Sequence, residues 1–568
     1  MDHPDWGPAL PQYSATFQER IEASFSRYTA AEATIIDIPG NIIPLGLLET
    51  ALATGENMHK IGYQGGTNIF PVLLTTMREY VEKHPGEAFD NYFGFLCIRN
   101  LIRMVCIGVL SKNSSLEGFS RKLNPLMPWN KVMELLSSIA LSLMRQAMAT
   151  KNPDSITNLL GFQPSSGAVF VGDVGLRQED AHFLVHLLWK SRKSMVLLRS
   201  KFLLPGLPAL LFVLSEMTKR LTSIPESQKP WVQLQDLTIR CCLVSASEPD
   251  RGILCQIAMW IHNLLHPPGR PGSNVRPNYT PVDDDDGLTV AQAYINLMSL
   301  PTDQSLSTSI DMFIGISMVL FRWLFTVLTK PEPRSPVLDE VIPDAMNVAL
   351  ERLRVEIDRE TNGPMPQTMR TLTWYYAADI CRQIRWFHEN TQTRSVREAL
   401  VTMLYNAEFH DLLGRYLTIV FRSQDIKPEM WEFFLGGIEQ ISDFLKLSPN
   451  IPTSQIESAA AQWLKITNHV FYHFASLVPC STPKDILNDA MDAWTTLHTP
   501  PLLGALRYNP CKNPRCPAPV AYGSEPEARL LCERCSVARY CNKRCQNIHW
   551  SLKTIDAHSL MCEKTALF

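Results

Sequence analysis

The feature that most constrains the fold of this chain is the spacing of cysteine and histidine near its C-terminus. Seven of the fourteen cysteines lie between residues 511 and 562. With one histidine they form four pairs: Cys511 and Cys516, Cys532 and Cys535, Cys541 and Cys545, and His558 and Cys562. Thiolates and imidazoles paired across a short turn are the usual ligands of tetrahedral structural zinc. Eight ligands suffice for two closed sites, so the spacing predicts two Zn²⁺ ions.

The middle of this segment has a more specific pattern. Its elements, in chain order, are Cys532-x2-Cys535, Tyr540-Cys541, Cys545-Gln546, Trp550 and His558-x3-Cys562. The string resembles a MYND-type zinc finger, and the resemblance covers about a tenth of the chain. The layout, with a finger at the C-terminal end of a large helical region, is similar to that of uncharacterised fungal MYND proteins.

The resemblance implies how the eight ligands divide between the two ions. In the cross-braced topology of the family, one ion binds Cys511, Cys516, Cys541 and Cys545. The other ion binds Cys532, Cys535, His558 and Cys562. A module this small cannot bury a sufficient apolar core, so metal binding must supply much of its folding free energy. We therefore expect the finger to unfold locally without zinc.

One departure from the family pattern concerns the seventh ligand. Seven residues separate Trp550 from His558, where the family usually has two. His549, four residues after Cys545, is the competing imidazole. We favour His558, because its spacing to Cys562 places both ligands on one face of a helix.

The resemblance also implies a function. In related fingers, the face that carries the glutamine and the tryptophan, here Gln546 and Trp550, binds short proline-containing peptides of partner proteins. These two residues are four apart, so they share one face of a helix. The alternative is that Trp550 packs inside the module as part of its core. The expected function is that of a non-enzymatic adaptor between proteins.

Two alternative functions stay open. A RING-like ubiquitin ligase also cross-braces two zinc ions, but the Cys-x-His ligand order of that family is absent here. A transcription regulator that contacts DNA or chromatin partners is the other. The tail from Arg507 onward has ten Lys or Arg against five Asp or Glu. Two zinc ions and seven thiolates reduce its charge from +5 to +2, which disfavours nucleic acid as the partner.

The rest of the chain predicts a mainly α fold. Hydrophobic residues make up 45% of the sequence and charged residues 19%, which is typical of globular proteins. Apolar residues recur at helical spacing in several segments, and strand-like alternation is scarce. Clear examples are Val132, Leu135, Leu136, Ile139 and Leu143; Met346, Ala349, Leu350, Leu353 and Ile357; and Met369, Leu372, Tyr376, Ile380, Ile384 and Phe387. We expect an irregular, armadillo-like solenoid or, second, a globular helical bundle.

Breaks in composition predict the domain boundaries. The segment 267–287 is rich in proline and glycine and contains four consecutive aspartates at 283–286, so we expect a solvated linker or long loop there. Helical regions are predicted over 1–266 and 288–500, and the finger over 507–563. Capping signals near Pro428, Ser454 and Thr482 mark further helix starts.

Membrane and compartment signals are weak. The longest apolar run that we identify, residues 312–328, contains Arg322 and is predicted to be a buried helix rather than a membrane span. The N-terminal residues lack the basic and apolar regions of a secretory signal. We expect an intracellular protein of the cytoplasm or nucleus, with no membrane partner. The seven cysteines outside the finger are expected to be buried: Cys97, Cys106, Cys241, Cys242, Cys255, Cys381 and Cys480.

Overall fold

The structure is a computed structural model of the full chain. It describes residues 6–28, 43–54, 69–84, 86–123, 129–150, 152–163, 168–171, 174–221, 228–266, 279–300, 310–329, 335–362, 367–391, 393–420, 511–513, 530–540, 543–551, 558–559 and 562. Contacts between residues divide the chain into two units. The first comprises residues 1–286 and 300–308, and the second residues 287–299 and 309–568.

Helices dominate the first unit. Those that the structure describes are α1 (Leu10–Tyr28), α2 (Leu45–Thr54), α3 (Ile69–Lys83), α4 (Tyr92–Lys112), α5 (Leu116–Lys122), α6 (Trp129–Ala149), α7 (Pro153–Leu160), α8 (Gln178–Lys190), α9 (Arg192–Ser200), α10 (Leu207–Leu221), α11 (Gln228–Leu243) and α12 (Glu248–Leu265). Helix α13 (Asp284–Ser299) begins in the first unit and continues in the second. The predicted mainly α fold is confirmed.

The second unit contains a further set of helices and the C-terminal finger. Before residue 421, the described helices are α14 (Ile310–Thr329), α15 (Pro336–Glu340), α16 (Ile342–Asn362), α17 (Gln367–Asn390), α18 (Arg394–Asn406) and α19 (Phe409–Val420). Helix α14 packs on α16 and α17, and α16 also contacts α18 and α19. The armadillo-like solenoid stays a prediction.

Helix α10 lies at the centre of the first unit, where it packs against α4, α6, α8, α11 and α12. Its side chains are buried from Leu207 to Thr218, and Lys219 is exposed. Gly206, just before α10, has φ +82°, and a Cβ there would lie 2.8 Å from Ile102 on α4. This glycine therefore allows the start of α10 to approach α4 closely.

One helix among the described residues, α4, is long and apolar enough to cross a membrane. However, 89% of its most apolar window is buried inside the protein. Core helices of soluble proteins meet the same length and composition criteria, so α4 is weak evidence for a membrane span. The predicted buried helix over 312–328 corresponds to α14, whose described side chains are buried from Ile314 onward, apart from the half-buried Arg322, Thr326 and Thr329.

A small antiparallel sheet in the first unit was not predicted from the sequence. Its strands are β1 (Phe162–Gln163), β2 (Ala168–Val171) and β3 (Val174–Leu176), in the order β1-β2-β3. The strand β2 pairs Val169 with Leu176 of β3. Strands of two to four residues are too short for an alternating pattern to stand out.

The predicted helical faces are largely confirmed. On α16, Met346, Ala349, Leu350, Leu353 and Ile357 are all buried. On α17 every predicted residue is buried except Leu372, which is half-buried. On α6 the buried face is displaced by about one residue, because Met133, Ala140 and Met144 are buried whereas Leu135, Ile139 and Leu143 are only half-buried.

The prediction that the acidic run at residues 283–286 lies in a fully solvated loop is wrong. Helix α13 already begins at Asp284, and the Asp283 side chain accepts a hydrogen bond from the Asp286 N–H at 2.8 Å. Asp283 thus caps the helix, and three carboxylates follow in the first turn, where the helix dipole favours negative charge. The predicted linker 267–287 therefore ends earlier than expected, and residues 267–278 lie outside the described part.

Asp286 belongs to a buried ion-pair network. Its carboxylate accepts a hydrogen bond from Arg240 Nη1 at 2.7 Å, and Arg240 Nε donates to Asp236 at 3.1 Å. The side chains of Arg240, Asp236 and Asp286 are all at most 1% exposed. The network joins the start of α13 to α11.

The cysteines outside the finger are buried as predicted, with Cys480 outside the described residues. The Cys242 and Cys255 sulfurs lie 3.5 Å apart between α11 and α12. Burial raises the pKa of the Cys97 and Cys381 thiols. These thiols are therefore neutral core side chains. The helix starts predicted near 428, 454 and 482 fall in the segment 421–510, which is not described.

Candidate metal centre

The described part of the finger contains one hairpin, one complete helix and helical residues at 558, 559 and 562. Strands β4 (Leu530–Leu531) and β5 (Arg539–Tyr540) pair antiparallel, with Leu530 opposite Tyr540. Helix α20 (Lys543–Trp550) follows and contacts β5. The Lys512 N–H donates to the Arg539 carbonyl of β5 at 2.8 Å, and this hydrogen bond fixes the segment that carries Cys511.

The turn between the two strands positions the Cys532-x2-Cys535 pair. The Cys532 N–H donates to the Ala538 carbonyl at 2.8 Å, and the Ser536 N–H donates to the Cys532 carbonyl at 2.9 Å. Ser536 has φ +52°, in the left-handed region. This conformation reverses the chain directly after Cys535, so that both sulfurs lie on one side of the turn.

Four ligand atoms meet beside this turn. They come from Cys532, Cys535, His558 and Cys562, and all lie within 4.8 Å of one another. The Cys532 and Cys562 sulfurs are 3.8 Å apart, and Cys535 Sγ is 3.5 Å from His558 Nε2. A zinc ion with tetrahedral bonds of about 2.3 Å to sulfur and about 2.0 Å to nitrogen separates its ligands by about 3.8 Å and about 3.5 Å respectively. The cluster therefore fits one zinc ion.

The protonation preferences of these groups also suit a metal site. Burial lowers the pKa of the His558 imidazole, which keeps it neutral and able to coordinate. Burial raises the pKa of Cys535, but hydrogen bonds from the Ala538 and Val537 N–H groups outweigh it, so the pKa is lowered overall. Burial and the neighbouring Cys532 and Cys535 thiols raise the pKa of Cys562 to about 12. A bound cation must therefore displace a proton from Cys562.

His549 is not part of this cluster. Its Nδ1 lies 3.0 Å from the Tyr540 hydroxyl, and both side chains are buried. Burial raises the pKa of Tyr540, with the neighbouring thiols acting in the same direction, so the phenol stays neutral. The structure brings His558, and not His549, to the three cysteines.

The other predicted site is described only in part. Cys545 is buried on α20, and Cys511 is half-buried and packs against the same small core. Cys516 and Cys541 lie outside the described residues. The assignment of Cys511, Cys516, Cys541 and Cys545 to a second ion stays a prediction.

The core of the finger consists mainly of the ligands themselves. Its buried members are Cys532, Ala538, Tyr540, Cys545 and Cys562, and Cys511, Cys535 and Trp550 pack against them. Tyr540 is the one fully buried aromatic ring among the described residues of the finger. We identified Tyr540 in the sequence only as part of the pattern. Its burial on β5, in contact with His549 of α20, gives it a structural role.

The two residues predicted to bind peptide lie on α20. Gln546 and Trp550 are both half-buried. The Trp550 ring contacts the His558 ring with 5.8 Å between centroids, and the Arg534 guanidinium lies over it at 5.2 Å. Trp550 is therefore partly a core residue and partly accessible. Sequence reasoning did not identify Arg534, since nothing in its position signals a contact with Trp550.

The comparison with protein families agrees with this geometry. The sequence profile of the MYND finger matches residues 511–562. The chain thus ends in a MYND finger, a zinc-binding domain that commonly mediates contacts between proteins. No curated protein and no solved structure matches the chain. The similarity to fungal MYND proteins stays a prediction.

Proposed function

We propose that this protein is a non-enzymatic adaptor whose C-terminal finger holds two zinc ions and recognises peptide segments of partner proteins. The observation that carries the proposal is the four-donor cluster of Cys532, Cys535, His558 and Cys562. Four protein ligands fill the tetrahedron of one zinc ion, which leaves no position for a water nucleophile. A closed site of this kind stabilises a fold and presents a surface.

The surface proposed for recognition is the face of α20 that carries Gln546 and Trp550. Both side chains are half-buried, so each offers part of its surface to a ligand. The indole provides an apolar contact, and the amide can hydrogen-bond to an extended peptide backbone. Short proline-containing peptides are the proposed ligands, because the related fingers bind such segments.

The second part of the proposal is the number of metal ions. Cys511 and Cys545 pack against the same core as the described cluster. With Cys516 and Cys541 they supply the four thiolates of a second closed site. Elemental analysis of the purified full chain should give two zinc ions per chain. A value of one would contradict the second site and leave the described cluster in place.

The recognition step is tested by capture of partner proteins from cell extract. Trp550→Ala and Gln546→Ala should each lose the partners of the wild-type chain. Phe202→Ala is the matched control, because it removes an exposed aromatic ring from the first unit. Zinc content checks that each variant keeps its finger. Identical captures by the wild type and by zinc-loaded Trp550→Ala would show that this face does not bind partners.

A further inference from the structure

The proposed peptide-binding face is covered in part by an arginine. Arg534 lies in the turn between Cys532 and Cys535, and its side chain is exposed. Its guanidinium carbon is 5.2 Å from the centroid of the Trp550 ring. A cation over an indole ring at this distance is attracted to the π-electrons of the ring. The turn and the end of α20 thus combine into one cationic and aromatic surface.

A guanidinium that stacks on a ring keeps its hydrogen-bond donors available. Stacking uses the flat face of the group, whereas its five N–H donors point outward in the plane. No ion pair between Arg534 and a carboxylate is seen in the described part of the chain. Because Trp550 holds the planar group in place, less side-chain freedom is lost when it binds a carboxylate.

The charges around Arg534 are mostly of the same sign. The described residues of the finger include five cations, Lys512, Arg534, Arg539, Lys543 and Arg544, and one carboxylate, Glu533. Lys512, Arg534 and Lys543 are exposed. A surface of this kind attracts negatively charged ligands and repels basic ones.

We propose that the peptide recognised by the finger is acidic, and that one of its carboxylates binds the edge of the Arg534 guanidinium while an apolar residue contacts Trp550. Arg534 would then select among peptides that Trp550 accepts. This inference rests on the proposed function, since it presupposes that the α20 face binds peptides.

The expected effect is moderate. An exposed ion pair contributes a factor of about two to five in affinity, and salt weakens it. Arg534→Gln should therefore lower the affinity for an acidic peptide by about that factor at low salt. Arg534→Lys keeps the charge but loses the planar fork, so an intermediate loss is expected.

The test selects ligands from a displayed library of random twelve-residue peptides, with the zinc-loaded full chain immobilised. Peptides that bind the wild type but not Trp550→Ala are collected, and their content of Asp and Glu is compared with that of the unselected library. The strongest peptide is then synthesised in its acidic form and with each Glu or Asp replaced by its amide. Affinities are measured for the wild type, Arg534→Gln and Arg534→Lys.

Lys543→Gln is the matched control for the general attraction of the cationic surface, because it removes one positive charge about 10 Å from Trp550 along α20. Support requires an excess of acidic residues and a two- to five-fold loss with Arg534→Gln that is confined to the acidic peptide and is larger than the loss with Lys543→Gln. Selected peptides without such an excess would overturn the inference and leave the proposed function intact. Tighter binding by Arg534→Gln would also overturn it, since Arg534 would then merely cover the ring. If no peptide depends on Trp550, the proposed function itself fails.

Discussion

Replacing Asp286 by alanine tests the buried network that joins α13 to α11. The Asp286 carboxylate accepts a hydrogen bond from Arg240 Nη1 at 2.7 Å and another from the Val282 N–H at 2.9 Å. The Arg240 side chain is 0% exposed. Alanine would remove one carboxylate partner of a buried cation and the acceptor of a backbone donor.

Removing one partner of a buried ion pair lowers the free energy of unfolding by about 3–5 kcal/mol, because the other charge stays buried. Asp236 still contacts Arg240, so we expect the lower end, about 3 kcal/mol. At roughly 2 °C per kcal/mol for a unit of this size, the unfolding midpoint of the first unit should fall by about 6 °C.

The neighbouring Asp285 provides the control. Its side chain is 88% exposed and lies 3.9 Å from Lys193 Nζ, an exposed pair that contributes little. Asp285→Ala should lower the midpoint by about 1 °C or less. Calorimetry gives the midpoints, and hydrogen exchange of peptides from α11 identifies the transition of the first unit. Equal shifts in the two variants would refute the assigned burial of Asp286.

Three further predictions concern the finger. Chelation of zinc should remove hydrogen-exchange protection from the amides of Cys532 and Ser536 while helices such as α10 keep theirs; retained protection would mean that the finger folds without metal. His558→Ala should lose one zinc ion per chain, whereas His549→Ala should keep both. Loss of the Tyr540 contact in His549→Ala should lower the free energy of unfolding of the finger by about 1 kcal/mol. Equal zinc content in the two variants would contradict the ligand assignment. In an assay with a charged ubiquitin-conjugating enzyme the chain should show no self-modification, and activity that depends on zinc would favour the ligase alternative.

The described metal cluster could be predicted because zinc coordination is partly local. The spacing of Cys532 to Cys535 places both thiolates on one turn, and that of His558 to Cys562 places both ligands on one helical face. The seven-residue separation of His558 from Trp550 did not obscure the assignment. The contact between Arg534 and Trp550 could not be predicted, because it joins a turn to a helix end through tertiary packing alone.

The helices outside the finger show where the spacing of apolar residues predicts the structure correctly and where it does not. The faces of α16 and α17 follow from apolar residues repeated over several turns. The start of α13 was missed because four consecutive aspartates suggested a solvated loop. The same residues are a capping aspartate and an acidic first turn, followed by apolar residues such as Val290 and Tyr294. The burial of Asp286 depends on Arg240, 46 positions earlier, and no local pattern signals it.

X-ray absorption at the zinc edge of the full chain tests most directly whether the ligand cluster is a closed structural site. The expected first shell contains sulfur at about 2.3 Å and nitrogen at about 2.0 Å. His558→Ala should lose the nitrogen contribution, and His549→Ala should leave it unchanged. An oxygen ligand from water in the wild-type spectrum, or a nitrogen shell that depends on His549, would contradict the closed site formed by Cys532, Cys535, His558 and Cys562.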